Sequence, residues 1–167
     1  SGSKDDPEDA NLLREMLEKN QDRLRAWKPD DPLTRQLQLA VEYRRKLVNH
    51  RTALTNQVTS LLKCYFPQAL QWAGALDTEQ ACDFLQRWPQ LAALQKTPPG
   101  RVRKFYRAHN CRSLPLIEER LAQIQTAQPL TNDAAILGAM SLMVRSLVQQ
   151  IKPLLHSIAE FDQQIQT

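Results

Sequence analysis

Glycine and aromatic residues are scarce in this chain of 167 residues: four glycines, and 6% Phe, Trp and Tyr together. Runs of β-branched residues are absent as well. A sheet needs such runs, and tight hairpins need glycine, so a β-rich fold is excluded. The three cysteines, Cys64, Cys82 and Cys111, are odd in number, far apart and without a Cys-x-x-Cys pair. That excludes a disulfide framework and a structural zinc site, and it fits a reducing, cytoplasmic compartment. No apolar stretch approaches the roughly 20 residues of a membrane span. The N-terminus is polar and acidic, unlike a signal peptide. No glycine-rich phosphate loop, Ser-His-Asp grouping or aromatic platform is visible. His109-x-Cys111 is too sparse for a metal site, and a hydrolase built on those two residues lacks a triad. One further absence concerns charge: from Phe84 to Ile117 there is no acidic residue.

What is present points to helices. Hydrophobic residues make up 42% of the chain, enough for a core, and ten prolines mostly stand where helices should start or stop. The composition predicts an all-α protein. A first helix is expected from about Pro7 to Lys19 or Asn20, with Leu12, Leu13, Met16 and Leu17 as its apolar stripe. Arg23 to Trp27 reads as irregular, and Lys28 to Pro32 as a linker. Asp31 should cap a long helix with Pro32 at its first position. Leu33, Leu37, Ala40, Arg44, Leu47, Arg51, Leu54, Val58, Leu61 and Tyr65 follow in steps of four and three. Val41, Val48, Thr55 and Leu62 form a neighbouring line. This coiled-coil-like pattern covers roughly 50 Å of helix before Phe66-Pro67. A second long helix should follow a Thr131-Asn132-Asp133 cap. Its seams are Val144, Ile151, Ile158, Ile165 and Met140, Leu147, Leu154, Phe161. Pro153 should kink it without necessarily ending it.

Short helices are expected between the two: Gln68 to Ala73, Thr78 to Trp88, Pro89 to Gln95, Thr97 to about His109, and Ser113 to Ala127. Thr97 is the expected cap of the fourth. The predicted architecture is therefore an antiparallel pair of long helices, residues 30–65 and 130–167. A small helical subdomain, residues 66–129, would be inserted at their tip. Residues 1–29 would belong to something else.

Two charge patterns suggest chemistry. Asp6 and Asp9 lie three residues apart at a helix start, so their carboxylates share one face and could hold a hard divalent cation such as Mg²⁺. The same residues also suit a plain helix start: Asp6 as cap, Pro7 at the first position, and Glu8 and Asp9 against the helix dipole. The second pattern is basic. The acid-free segment holds Arg87, Lys96, Arg101, Arg103, Lys104, Arg107 and Arg112; elsewhere 15 basic residues are outnumbered by 18 acidic ones, so the net +4 is concentrated there. On the helix after Thr97, Val102, Phe105, Tyr106 and His109 fall on one arc. Arg103, Lys104 and Arg107 fall opposite, with Arg101 at the boundary and Arg112 beyond the helix end. Such a face suits a phosphate backbone or is a solvated surface. Arg44 and Arg51, at seam positions, join Arg45, Lys46 and His50 in a mid-helix belt. Either they open the seam to a nucleic-acid strand or acidic partner, or they reach to water from its edge.

The stretch from Lys4 to Trp72 resembles the bacterial DEDD-type insertion-sequence transposases, which are related to the Piv DNA invertases. Their RuvC-like domain ends in Lys-x-Asp-x-x-Asp-Ala, here Lys4, Asp6, Asp9 and Ala10, followed by Asn11-Leu12-Leu13. A Trp/Pro-Asp linker is matched by Trp27-Lys28-Pro29-Asp30. The family's middle helix resembles Tyr43-Arg44-Arg45-Lys46-Leu47-Val48, then Arg51-Thr52, Asn56, Leu61-Leu62 and Tyr65-Phe66-Pro67. Weaker similarity continues through Phe105 to Arg112 and through Ile158 to Ile165. The resemblance implies that Asp6 and Asp9 are the last two acids of a catalytic tetrad using Mg²⁺. It implies a helical arm that dimerises and contacts DNA or a structured guide RNA, in a parent that breaks and joins DNA strands. The first two acids and the C-terminal serine domain of the family are not in this sequence, so an internal fragment, inactive alone and holding no metal, is expected. A helical protein-interaction scaffold is the other reading.

Overall fold

A computed structural model describes residues 6–23 and 31–166, the side chains of residues 6–8 excepted. The described residues form helices and turns, in line with the all-α expectation. The chain divides into two compact units, residues 1–36 and 37–167.

In the first unit, α1 spans Asp6–Lys19 and a 3₁₀ turn follows at Gln21–Arg23. The i,i+4 pairs Arg14–Glu18 at 2.9 Å and Lys19–Glu15 at 3.1 Å lace its polar side. Asn20 Nδ2 donates to Met16 O at 2.8 Å, closing the last turn. Leu12, Leu13, Met16 and Leu17 form the expected stripe, and all four are exposed. The linker expected at residues 28–32 lies mostly outside the described residues.

The long helix α2 spans Pro32–Tyr65. Asp31 caps it: its Oδ1 accepts from Thr34 N at 3.0 Å. Burial along α2 is uneven. Leu33, Leu37, Leu39, Val41 and Tyr43 are exposed, whereas Leu54, Val58, Leu62 and Tyr65 are buried. The second half of α2 therefore supplies the core. After it come α3 (Ala69–Trp72), α4 (Glu79–Arg87), α5 (Leu91–Gln95), α6 (Pro99–Ala108), α7 (Leu114–Thr126) and α8 (Ala134–Gln166).

The boundaries have local causes. Gly74, with φ of +84°, turns the chain out of α3, a conformation that side chains rarely adopt. Thr78 Oγ1 accepts from Ala81 N, and Ser113 Oγ from Leu116 N. Asp133 Oδ1 accepts from Ala135 N at 2.8 Å to start α8. Thr97 departs from its expected role as the cap of α6. Its hydroxyl accepts from Trp88 Nε1 at 2.8 Å and donates to Ala93 O at 2.9 Å. Pro98 occupies the cap position of α6 instead, without a side-chain bond. A buried indole N–H needs an acceptor, and Thr97 supplies it.

One hydrophobic cluster runs from Leu54 to Ile151 and draws on α2 to α8. The small helices are thus part of the core of both long ones. α4 lies along α8 rather than beyond its end, and Lys152 Nζ meets Asp83 Oδ1 at 2.8 Å. The long helices run antiparallel. Arg44 in the first half of α2 pairs with Asp162 near the end of α8. At the other end Tyr65 Oη donates to Pro89 O, while Gln90 Nε2 donates to Leu137 O and Ser141 Oγ.

α8 continues through Pro153. Val144, Leu147, Val148, Ile151 and Ile158 form its buried line. An 18-residue window within it has a mean hydropathy of 1.4, so by length and composition α8 could cross a membrane. That corrects the sequence expectation of no such stretch. The burial of one face against α4 accounts for the apolarity equally well.

Candidate nucleic-acid interface

α6 is short and strongly two-sided. Val102, Phe105 and Tyr106 are buried. Phe105 packs edge-on against Trp88, ring centroids 5.0 Å apart, and against Phe84 at 5.9 Å. Tyr106 Oη donates to Trp72 O at 3.0 Å inside the core, and burial pushes its hydroxyl up to about 12. This aromatic wedge fixes the rotation of α6, and with it the direction of the basic face. His109 ends the helix and Asn110 follows at φ 63°, a left-handed exit that Asn tolerates.

The basic residues then separate into two groups. Arg103 forms a fork on Glu118 of α7, with Nε at 2.6 Å and Nη2 at 2.8 Å. Arg103 and, more weakly, Arg107 hold the Glu118 carboxyl below its ordinary value. Arg44 pairs with Asp162, Lys46 with Glu42 at 2.9 Å, and Arg51 with Asp77 at 3.6 Å. The seam arginines therefore meet acids of this same chain. Arg45, Arg101, Lys104, Arg107 and Arg112 make no ion pair with a carboxylate among the described residues.

Two of these unpaired cations meet a third in a cleft of about 370 Å³ between α4 and α6. Its lining is Asp83, Arg87, Arg101, Lys104, Phe105, Ala108 and His109. Arg87 lies over the Trp88 ring at 5.2 Å. Asp83 is held by Lys152 at 2.8 Å, and His109 Nε2 lies 3.5 Å from its other oxygen. Sequence reasoning counted Arg87 in the acid-free segment but assigned it no role, and it assigned none to Asp83 or Lys152. No pattern within α4 announces them, because the packing of α4 against α6 and α8 creates the cleft.

Asp9 stands exposed on the first turn of α1. α1 begins at Asp6, whose side chain lies outside the described residues, as do the cap of α1, Lys4 and Trp27. A hard oxygen pair of this kind suits Mg²⁺ but fills only part of an octahedral shell. Among the described residues no three His, Cys, Asp or Glu side chains gather. The cysteines offer no nucleophile beside a base. Cys82 is buried, which pushes its thiol up to about 11, and Cys64 donates to Ser60 O in its own helix.

No curated protein and no solved structure matches the chain. A family model described as Transposase, of the DEDD insertion-sequence type, matches residues 1–67. That span carries the Asp6/Asp9 motif, the linker and the Arg-rich helix, and it stops two residues after α2 does. Over residues 1–67 the chain is similar to the DEDD-type insertion-sequence transposases.

Proposed function

We propose that this chain is the middle region of a transposase that breaks and joins DNA strands, and that its helical body contacts the nucleic-acid backbone. The observation that carries this reading is the sorting of the cations. Arg44, Lys46, Arg51 and Arg103 are occupied by carboxylates, while Arg101, Lys104, Arg107 and Arg112 are left on one region. Exposed unpaired cations release counterions from a phosphate backbone, which gives affinity without sequence preference. Paired ones must first give up a carboxylate, so they contribute little.

In the parent protein, Asp6 and Asp9 would hold Mg²⁺ together with acids outside this sequence. The ion would supply charge stabilisation at the phosphodiester. The chain's own part is to place Asp6 and Asp9 three residues apart at the start of α1. The exposed stripe of α1 fits a helix that belongs to a larger catalytic domain.

Salt dependence tests the nucleic-acid reading. With about four phosphate contacts, log affinity for duplex DNA should fall with log salt at a slope of about −3 to −4, and somewhat less steeply for a single strand. Charge reversal at Arg101, Lys104 and Arg107 should flatten that slope, and reversal at Arg44 or Arg51 should not. No binding to duplex DNA or structured RNA at low salt would favour the interaction scaffold instead.

Dimerisation is supported by a separate observation. Leu37 of the seam and Val41 of the neighbouring line, both in the first half of α2, are 45% and 48% exposed, where a paired coiled coil would cover them. Sedimentation should show a dimer that Leu37→Lys with Val41→Lys dissociates. A monomer at every concentration overturns this part.

A further inference from the structure

We propose that the cleft between α4 and α6 is a discrete phosphate-binding site, with Arg87, Arg101 and Lys104 as the groups that hold one phosphate oxyanion. The proposal rests on the nucleic-acid reading only for the source of that phosphate. Its own basis is the geometry of the cleft.

Three cations without carboxylate partners line one cavity of about 370 Å³. Ligand-enclosing pockets run from roughly 300 to 1,000 Å³, so the space is sufficient for a phosphate and its attached sugar. Among the other cations without an ion pair, Arg45, Arg107 and Arg112 are not part of this cleft. Arg87 is pre-positioned. Its guanidinium lies over the Trp88 ring, which is itself fixed by Phe84 and Phe105. A planar cation fixed in this way loses less freedom on binding an oxyanion than a free side chain does.

The one carboxylate in the lining, Asp83, would repel a phosphate if it stood alone. It does not: Lys152 of α8 pairs with it, and His109 Nε2 lies beside it. With Asp83 matched by Lys152, the charges of Arg87, Arg101 and Lys104 remain in excess and find no anion among the described residues. Like cations grouped on one cavity repel one another in its absence, and an oxyanion relieves that repulsion. A phosphodiester of a nucleic-acid strand and a free phosphate or phosphate monoester share this chemistry.

The test uses the full chain and two probes, inorganic phosphate and a short oligonucleotide, at matched ionic strength, followed by NMR of backbone amides and Arg and Lys side chains. Phosphate should give saturable shifts confined to the cleft lining. Arg101→Gln with Lys104→Gln should weaken binding about tenfold or more. Asp83→Asn, at a partly exposed position, should tighten it several-fold by removing the competing carboxylate. If the oligonucleotide moves the same resonances and phosphate displaces it, the source is a strand backbone. If phosphate saturates the cleft and the oligonucleotide leaves it untouched, the source is a free phosphate. Shifts spread equally over Arg45, Arg107 and Arg112, or a weakening by Asp83→Asn, overturn the site. Oligonucleotide binding that leaves the cleft silent toward both probes also overturns it, while the nucleic-acid function stands.

Discussion

Tyr106 shows how one side chain ties a surface property to the core. Its ring is part of the wedge that orients α6, and its hydroxyl donates to Trp72 O, a carbonyl at the end of α3 that no helical N–H reaches. Tyr106→Phe removes the donor and leaves that acceptor unpaired. The expected cost is about 1–3 kcal/mol, or a fall in Tm of a few degrees in a thermal melt; an unchanged Tm would show that water replaces the hydroxyl. Arg103 and Glu118 decide a second single-residue question, the acid limb of stability. The Glu118 carboxyl is held below its ordinary value of 4.5 by Arg103 when folded. A depressed folded-state value stabilises the fold above the unfolded value, and that contribution is lost as pH falls through the folded one. Stability should therefore drop below about pH 4.5, and Glu118→Gln should flatten that limb in urea titrations at low pH. The pair is partly exposed, so the effect is small and should shrink further with salt.

At the level of elements, α6 and α8 carry most of the consequences. α6 has a basic side because its aromatic side is pinned. Swapping the two sides would need a rotation that Trp88, Phe84 and Tyr106 forbid. α8 is continuous through Pro153, which has no N–H to give to the carbonyl four residues back. Pro153 is exposed, so nothing in the core requires its ring. Pro153→Ala should restore one helical hydrogen bond and stabilise the chain by about 1–3 kcal/mol, read as a higher urea midpoint with unchanged m-value. Destabilisation instead would mean that the local geometry at Pro153 is built into the packing of α8 on α4.

For the whole molecule, the distribution of the core matters most. The hydrophobic cluster begins at Leu54 and takes no residue from the first unit. A chain starting at Asp31, which keeps the cap of α2, should unfold in one cooperative transition within a few degrees of the full chain by circular dichroism. Loss of the transition would show that residues 1–30 are needed for the core. The same truncation removes Asp6 and Asp9 but leaves the cleft, so it should retain phosphate binding. This separation fits a chain in which residues 1–67 carry the family match and the cation-lined cleft lies after them.

The sequence by itself determined the all-α class, the two long helices, and the caps at Asp31 and Asp133. Those depend on local propensity, proline position and heptad spacing, all of which are short-range properties. It also showed that Val102, Phe105 and Tyr106 face away from the basic side of α6, because helical periodicity fixes that relation. Tertiary structure decided which half of α2 is buried, and it gave Thr97 to an indole rather than to a helix. It alone decided which cations are free. Arg44 meets an acid 118 residues away and Arg103 one 15 away. Arg87 gains Arg101 and Lys104 as neighbours only because α4 and α6 share an aromatic wedge. Charge is a property of composition, but availability for a phosphate depends on partners that only folding brings within reach.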